Sequence, residues 1–251
     1  MDRQETPVVM MRNIVKRFGT VTALDGVDFA VYPREVVALV GDNGAGKSTL
    51  IKILTGVHTP TSGTITFEGE AVQIRSPQAA RGLGIETVYQ DLALVDLMSI
   101  TRNFFLGREI VGGLGPLRWL KLREMNAQTQ DSLRDIGIEV RSPSEKVKML
   151  SGGERQSIAI GRALRFGARL LILDEPTSAL SVAETRKVLT YTLNAKDRGL
   201  SVIFITHNIH HVYLVADRYT ILRHGKLVGN YMKSELTEND IADLITGVRE
   251  V

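Results

Sequence analysis

The sequence predicts a single α/β domain built on a parallel β-sheet, and three observations carry this prediction. Val36 to Val40 is a short, continuous apolar run that leads through a glycine-rich loop into a helical pattern at 48–54, which is the order strand, loop, helix. From residue 153 onward, further strands alternate with helices, as is typical of a parallel sheet covered on both faces. Because no Pro- or Ser-rich linker divides the 251 residues, we expect one domain over 1–251.

The opening of the chain indicates an N-terminal antiparallel β subdomain. From about residue 8 to 31 it is rich in β-branched and aromatic residues, and Gly19 and Gly26 interrupt it as hairpin turns do. A turn at 59–63 then leads into a further strand at 64–67.

Later elements follow from apolar runs and turn residues. The expected elements are strands at 86–89, 170–173 and 201–206, a helix from about 182 to 196, a hairpin over 218–232 and a last helix reaching 245. Thr237 and Asp240 are placed to cap the last helix. The core sheet is therefore expected to be parallel or mixed.

Residues from about 91 to 150 are predicted to form a helical subdomain inserted in this domain. One apolar face recurs at intervals of three or four residues, at Leu122, Met125, Thr129, Leu133 and Ile136. The segment Gly112 to Pro116 cannot belong to a helix interior. We therefore expect an exposed loop between two helices there.

Composition excludes several classes of protein. The 31 basic and 28 acidic residues leave a net charge of only +3, which argues against a nucleic-acid partner. The chain has no cysteine, which fits a reducing compartment. Its start does not resemble a signal peptide, and no apolar run approaches the roughly 18 residues of a membrane helix. A protein acting at a membrane would need a partner for the crossing.

The glycine-rich loop has the composition of a phosphate site. Its residues are Gly41, Asp42, Asn43, Gly44, Ala45, Gly46, Lys47 and Ser48. Glycines free the backbone N–H groups to wrap a phosphate chain, and the helix after them adds its positive end. We expect Lys47 to neutralise the β- and γ-phosphates, Ser48 to ligate Mg²⁺ and Thr49 to contact the α-phosphate.

Two carboxylates follow the apolar strand at 170–173. At the carboxyl end of a central parallel strand, Asp174 faces the same crevice as the phosphate loop and suits a Mg²⁺ ligand. Glu175 is expected to point toward the terminal phosphate, where it orients and polarises the attacking water. An Asp-Glu pair alone is more often a solvated turn, but the apolar strand before it and Pro176 after it favour the site.

Gln90 and His207 each come directly after a predicted strand, where this architecture places its ligand. Both are candidates to reach the γ-phosphate, although a structural role is open for the histidine. With His210 and His211 it suggests a metal cluster, but no carboxylate or thiol at suitable spacing completes one. Phe18 is a candidate to stack on a purine, although packing in the core is the commoner fate of phenylalanine.

A second glycine-rich stretch, Leu150 to Gln156, follows far along the chain. One nucleotide does not need two anion cradles. We therefore interpret the second cradle as serving the nucleotide of another subunit, so that ATP joins a dimer and its hydrolysis lets the dimer open.

With these motifs in this order, the chain resembles the ATP-binding subunits of ABC transporters over almost its whole length. The resemblance implies ATP and Mg²⁺ as cofactors, with Gln90 among the metal ligands. It implies a head-to-tail dimer in which the phosphate loop of one subunit and Ser151, Gly152 and Gly153 of the other hold each ATP. It also implies a location on the cytoplasmic face of the membrane beside membrane-spanning permease subunits.

A closer likeness is to importers of simple sugars such as ribose, xylose or fructose. It is carried by 76–80, 88–90, 103–109 and 206–208, and it implies a sugar-binding protein as a further partner. In the family, the neighbourhood of the apolar segment 92–98 receives a short helix from the membrane partner, although packing of the helical subdomain explains the segment equally well.

One position departs from the family. Most relatives place an aspartate that reaches across the dimer after Leu180, and Ser181 stands there in this chain. Ser181 and Glu184 form a capping box for the next helix.

Three alternatives for the function stay open: an importer of another solute, an ABC-type ATPase that drives assembly or nucleic-acid work, and a nucleotide-binding module without turnover.

Overall fold

The computed structural model describes residues 5–114, 117–135, 137–178 and 180–248. None of the helices in these ranges combines the length and apolarity that crossing a membrane requires. The strands are β1 (Val9–Phe18), β2 (Val21–Val31), β3 (Val36–Val40), β4 (Ser62–Phe67), β5 (Glu70–Ala71), β6 (Ile85–Val88), β7 (Val111–Gly112), β8 (Trp119–Leu120), β9 (Leu170–Asp174), β10 (Ser201–Ile205), β11 (Arg218–Arg223) and β12 (Lys226–Met232). The helices are α1 (Lys47–Leu54), α2 (Pro77–Gly82), α3 (Ile100–Phe104), α4 (Leu122–Asp135), α5 (Gly152–Arg165), α6 (Val182–Asp197), α7 (Ile209–Val215) and α8 (Glu238–Thr246).

The N-terminal sheet is antiparallel, with strand order β2-β1-β4-β5, which confirms the predicted β subdomain. Gly19 lies in the turn between β1 and β2. The predicted break at Gly26 is wrong, because this glycine lies inside β2 with φ of 69°. The register of β1 against β2 shifts on both sides of the neighbouring Ile14–Val27 pair. A glycine in this conformation accommodates such a bulge without ending the strand.

The core sheet has six strands in the order β12-β11-β3-β10-β9-β6. Strands β11, β3, β10, β9 and β6 run parallel, and β12 pairs antiparallel with β11 as a hairpin. The predicted parallel or mixed α/β core is therefore confirmed. All five residues of β3 and all five of β10 are buried, as expected for strands covered on both faces.

Each face of the core sheet packs against a different layer. Ala38 and Phe204 belong to a core shared with α3, α4, α5, α6, α7 and α8, whereas Leu39 and Ile203 belong to a core shared with α1 and the N-terminal sheet. This division follows from the strand period of two, which sends neighbouring side chains to opposite faces. The sheet thus holds the ends of its parallel strands between two rigid layers.

The segment between β6 and α5 contains α3, the two-stranded β7–β8 hairpin and α4. Along α4, Met125, Thr129 and Leu133 are buried, but Leu122, the first residue of the helix, is 44% exposed. Ile136 lies outside the described residues. That 91–150 forms a separate helical subdomain stays a prediction.

The loop predicted at Gly112 to Pro116 is only partly a loop. Gly112 belongs to β7 and pairs with Trp119 of β8, so a small antiparallel hairpin connects α3 and α4. Gly115 and Pro116 lie outside the described residues. Gly112 and Gly113 favour a loop in the sequence, because glycine weakens strand interiors.

The C-terminal predictions are confirmed. β11 and β12 form the hairpin, turning at His224 and Gly225. Thr237 caps α8 by accepting a hydrogen bond from the backbone N–H of Asp240, whose carboxylate in turn accepts one from the backbone N–H of Thr237.

Candidate functional site

The carboxyl ends of the parallel strands and the start of α1 enclose a cavity of about 330 Å³. Its lining gathers residues from five separate parts of the chain. These residues are Ala23, Asn43, Gly44, Ala45, Gly46, Lys47, Ser48, Thr49, Gln90, Asp174, Glu175 and Ile205. The fold therefore brings the predicted phosphate loop, the glutamine and both carboxylates to one place.

The loop at 41–46 turns the chain sharply from β3 into α1. Gly41 has φ of 150°, and a Cβ there would overlap the carbonyl oxygen of Leu222. Gly46 caps α1 with φ of 101° and without a side-chain hydrogen bond to the first turn. Because the first N–H groups of a helix have no intrahelical partner, the start of α1 presents donors and a positive dipole end suited to an anion.

Lys47, the first residue of α1, places its ammonium beside the loop. Its Nζ donates to the carbonyl oxygens of Gly41 at 2.6 Å and Asp42 at 2.9 Å. Burial lowers the pKa of Lys47, and the charges of Glu175, Asp42 and Asp174 work in the opposite direction. A half-buried cation next to free helix donors is a site for a polyanion.

Asp174 ends β9 and pairs in register with Ile205 of β10. Burial raises the pKa of Asp174, and the adjacent charge of Glu175 raises it further. Glu175 leaves the strand in the left-handed region, with φ of 50°, and its N–H donates to the carbonyl of Ile205 at 2.9 Å. Such strain at a non-glycine residue persists only where the surroundings hold it.

Three donors surround the Glu175 carboxylate. Oε1 accepts the backbone N–H of His207 at 3.0 Å and lies 2.9 Å from His207 Nδ1, while Oε2 accepts the hydroxyl of Thr206 at 3.1 Å. His207 is 73% exposed in its side chain and Glu175 is 17% exposed. The predicted histidine therefore lies against the predicted base. Thr206 was missed, although its position between a buried strand and His207 is a usable signal.

Oxygen donors of the kind that Mg²⁺ prefers share the cavity. The Ser48 hydroxyl, the Gln90 amide and the Asp174 carboxylate all line it. Mg²⁺ is commonly held by one or two carboxylates together with substrate phosphate oxygens. The residues present therefore fit the predicted metal.

The second glycine-rich stretch opens α5 but lies elsewhere. Ser151 caps the helix by accepting the backbone N–H of Glu154, and the Glu154 carboxylate accepts the N–H of Ser151. Among the described lining of the phosphate cavity, Ser151, Gly152 and Gly153 do not appear. Within one chain, the two predicted anion cradles are therefore separate.

Glu184 connects the starts of two helices, which the sequence did not indicate. The predicted capping box of Ser181 and Glu184 on α6 is present. In addition, Oε1 of Glu184 accepts the N–H of Gly153 at 2.9 Å. These hydrogen bonds lower the pKa of Glu184 to about 2, with the bond from Gly153 contributing most. No sequence spacing links positions 31 residues apart.

Phe18, predicted as a base-stacking residue, ends β1 and is 43% exposed. The centroids of the Phe18 and His58 rings lie 5.2 Å apart in an edge-on arrangement. Lys16 Nζ lies 5.0 Å from the Phe18 ring centroid. The β-region contributes Ala23 to the lining of the described cavity. Stacking of Phe18 on a base stays a prediction.

Comparison with known proteins identifies the relatives of this chain. Residues 24–178 match the family model described as ABC transporter. The chain is 45% identical to the fructose import ATP-binding protein of Rhizobium meliloti, over 98% of this chain and 96% of that protein. It is 46% identical to the xylose/arabinose import ATP-binding protein of Sulfolobus acidocaldarius, over 94% of this chain and 92% of that protein.

Solved structures of the same family share the fold. A solved nucleotide-free ATP-binding cassette from an ABC transporter superposes with a TM-score of 0.83 at 26% identity, covering 94% of this chain and 96% of that one. The same family is found by the family model, by the relatives matched over most of their length and by the shared fold. The chain belongs to the ABC transporter family.

Proposed function

We propose that this chain is the ATP-binding and ATP-hydrolysing subunit of a membrane transporter that imports a simple sugar. The observation that carries the proposal is the single cavity in which the phosphate loop, Gln90, Asp174 and Glu175 meet. Phosphoryl transfer needs these parts, namely a cradle for the phosphates, a metal site and a group that positions water. The choice of a sugar as the transported solute rests on the relatives, which are import proteins for fructose and for xylose/arabinose.

ATP is proposed to bind with its phosphates on the loop at 41–48. The backbone N–H groups at the start of α1 and the Lys47 ammonium supply the positive field. Lys47 Nζ donates to two carbonyl oxygens of its own loop. Binding therefore exchanges two neutral acceptors for charged phosphate oxygens, which form stronger hydrogen bonds.

Ser48, Gln90 and Asp174 are the residues proposed to hold Mg²⁺. When bound, the ion neutralises charge on the phosphate oxygens and helps to orient them. The chain's own share is to place a hydroxyl, an amide and a carboxylate around one cavity.

Glu175 is proposed as the general base for hydrolysis. A water attacks the γ-phosphorus in line with the leaving ADP oxygen, and its proton passes to the Glu175 carboxylate as the bond to ADP breaks. The hydrogen bonds from Thr206 and His207 hold that carboxylate, which lines the cavity. His207, largely exposed, is proposed to reach the γ-phosphate from this position.

Each ATP is proposed to be enclosed by two subunits. Ser151, Gly152 and Gly153 begin the 14-residue helix α5 but do not share the described lining of the phosphate cavity. A second copy turned head to tail would bring its own α5 start to the open side, where the helix dipole faces the γ-phosphate.

A membrane-spanning permease subunit is proposed to dock in a second, larger cavity of about 640 Å³ beside Gln90. Its apolar lining includes Tyr89, Leu92, Phe104 and Leu106. Arg108 and Arg162 also line this cavity. Arg108 pairs with Glu86 at 2.7 Å, and burial lowers the pKa of Arg162. This surface would place the chain on the cytoplasmic face of the membrane, with a sugar-binding protein as the outer partner.

Uptake of labelled fructose, xylose and ribose by cells with and without this chain tests the proposal. We expect uptake of one of these sugars to be lost without the chain and restored by it, but not by its Glu175→Gln variant. Unchanged uptake of all three sugars would contradict the proposed import of these sugars and leave the ATPase assignment intact.

A further inference from the structure

The β7–β8 hairpin carries an apolar surface that the proposed function does not use. On its described residues and the first turn of α4, five large apolar side chains are exposed. They are Val111 at 40%, Leu114 at 91%, Leu117 at 76%, Trp119 at 62% and Leu122 at 44%. Scattered exposed apolar residues are ordinary, but a contiguous group of them marks a surface that contacts something.

Cations are interleaved with this apolar surface. Arg118, Lys121 and Arg123 are exposed, and no acidic residue occurs between 111 and 123. Glu124 follows and pairs with Lys121 at 3.3 Å. Leucine and tryptophan alternating with arginine and lysine is the composition of segments that lie in the headgroup region of a bilayer.

The hairpin also holds its indole in a defined place. Trp119 packs over the backbone of β7, where a Cβ on Gly112 would lie 3.1 Å from the indole Nε1 and 3.4 Å from Lys121 Cε. The glycine therefore leaves room for the indole to lie close to the strand, with the lysine side chain beside it. Tryptophan next to lysine suits the boundary between lipid tails and water, because each side chain has an apolar body and a polar end.

The hairpin adjoins the surface proposed for the permease. Arg108, which lines that cavity, precedes β7 by only three residues, so the chain between them spans at most about 10 Å. This step alone rests on the proposed function, since it places the hairpin on the side of the molecule that faces the membrane.

We propose that the exposed surface of the β7–β8 hairpin and the start of α4, formed by Leu114, Leu117, Trp119, Arg118 and Arg123, is a lipid contact that inserts into the headgroup layer of an anionic membrane. The occupant is the bilayer itself rather than a protein. Two features favour it: exposed apolar side chains, which need no matching pocket in a bilayer, and cations, which attract anionic headgroups.

Trp119 is the only tryptophan of the chain, so its fluorescence reports this contact directly. The full-length protein is titrated, without nucleotide or permease, with vesicles of phosphatidylglycerol and phosphatidylcholine, and with vesicles of phosphatidylcholine alone. We expect a blue shift and protection from acrylamide quenching with the anionic vesicles, and a much weaker effect with the neutral ones.

Two variants separate charge from apolar insertion. Arg118→Ala/Arg123→Ala should weaken vesicle binding about 30-fold, since a cation at an anionic surface contributes about 1 kcal/mol. Arg12→Ala/Arg34→Ala removes the same charge from exposed positions on β1 and in the turn after β2 and should change binding less than about threefold. Leu114→Ser/Leu117→Ser should abolish the blue shift. ATP hydrolysis by all these variants should match that of the unmodified protein.

Three results would overturn the lipid contact. They are an unchanged Trp119 spectrum with anionic vesicles, equal weakening by both arginine pairs, and a spectrum that responds to protein concentration but not to vesicles. The last would assign the surface to a second copy of the chain. Because the titration contains no nucleotide, its failure leaves the ATPase proposal standing.

Discussion

The backbone N–H and the ring Nδ1 of His207 face the same oxygen, Oε1 of Glu175, at 3.0 and 2.9 Å. Both residues follow the ends of adjacent parallel strands, β9 and β10. Glu175 is held in a left-handed backbone conformation that few carboxylates adopt. This relationship fixes the carboxylate where the proposed reaction needs a base.

Glu175→Gln should slow ATP hydrolysis about 10²- to 10⁴-fold, the usual contribution of a general base. Glutamine keeps the acceptor oxygen that Thr206 and His207 contact but cannot take the proton from water. ATP affinity should stay within about threefold, because the loop at 41–48 is intact. Steady-state turnover and equilibrium binding of ATP, measured together, check this prediction. Turnover close to that of the unmodified protein would remove Glu175 as the base.

Lys47→Ala should weaken ATP binding about ten- to hundredfold, from the loss of hydrogen bonds by a charged donor of about 1.5–3 kcal/mol. Lys52→Ala is the matched control, since Lys52 is exposed near the other end of α1. Equilibrium binding of ATP by both variants provides the comparison. Equal effects would mean that general positive charge, rather than the position of Lys47, holds the nucleotide.

Asp174→Asn should stabilise the nucleotide-free protein at pH 7 by a few degrees in Tm. Burial and Glu175 raise the pKa of Asp174 in the folded state, so the cost to folding builds up as the pH rises above the ordinary value of 3.8 and is fully present above the raised value. The advantage of asparagine should shrink as the pH falls toward the ordinary aspartate value of 3.8. Thermal unfolding without Mg²⁺ across this range measures it. A lower Tm for the variant at pH 7 would contradict the predicted sign.

Glu184→Gln should lower Tm at pH 7 by about 2–4 °C, as expected for about 1 kcal/mol of lost capping in a chain of this size. The hydrogen bonds from Gly153 and Ser181 depress the pKa of Glu184 from 4.5 to about 2. The stabilisation is therefore fully present above pH 4.5 and is lost as the pH falls toward about 2.

Thermal unfolding of this variant beside Glu139→Gln, an exposed carboxylate after α4, isolates the effect. The two variants should differ at pH 7 and converge in acid. A difference that persists unchanged at low pH would show that the lost contribution is not electrostatic.

The sequence predicted those parts of the site that lie on short contiguous segments. The apolar strand before Gly41 and the strand before Asp174 both end where parallel strands place a ligand, so the cavity could be expected from order alone. The hairpin at 218–232 and the cap at Thr237 were also predictable, because turns and caps are local.

Contacts between distant segments could not be predicted. The bond from Gly153 to Glu184 depends on how α5 packs against α6. Likewise, Ala23 reaches the phosphate cavity only because β2 lies beside the loop. The bulge at Gly26 was mistaken for a turn, because glycine serves both purposes and only the register of the partner strand distinguishes them.

Sedimentation of Glu175→Gln in saturating Mg·ATP measures whether two chains share each nucleotide. In the proposed dimer, one chain supplies the phosphate cavity and its partner supplies Ser151 and Gly153 to close it. A hydrolysis-deficient variant should therefore sediment at twice the monomer mass with Mg·ATP, and as a monomer without nucleotide or when Ser151→Arg is added. A protein that binds Mg·ATP at full occupancy yet stays monomeric would contradict the shared site.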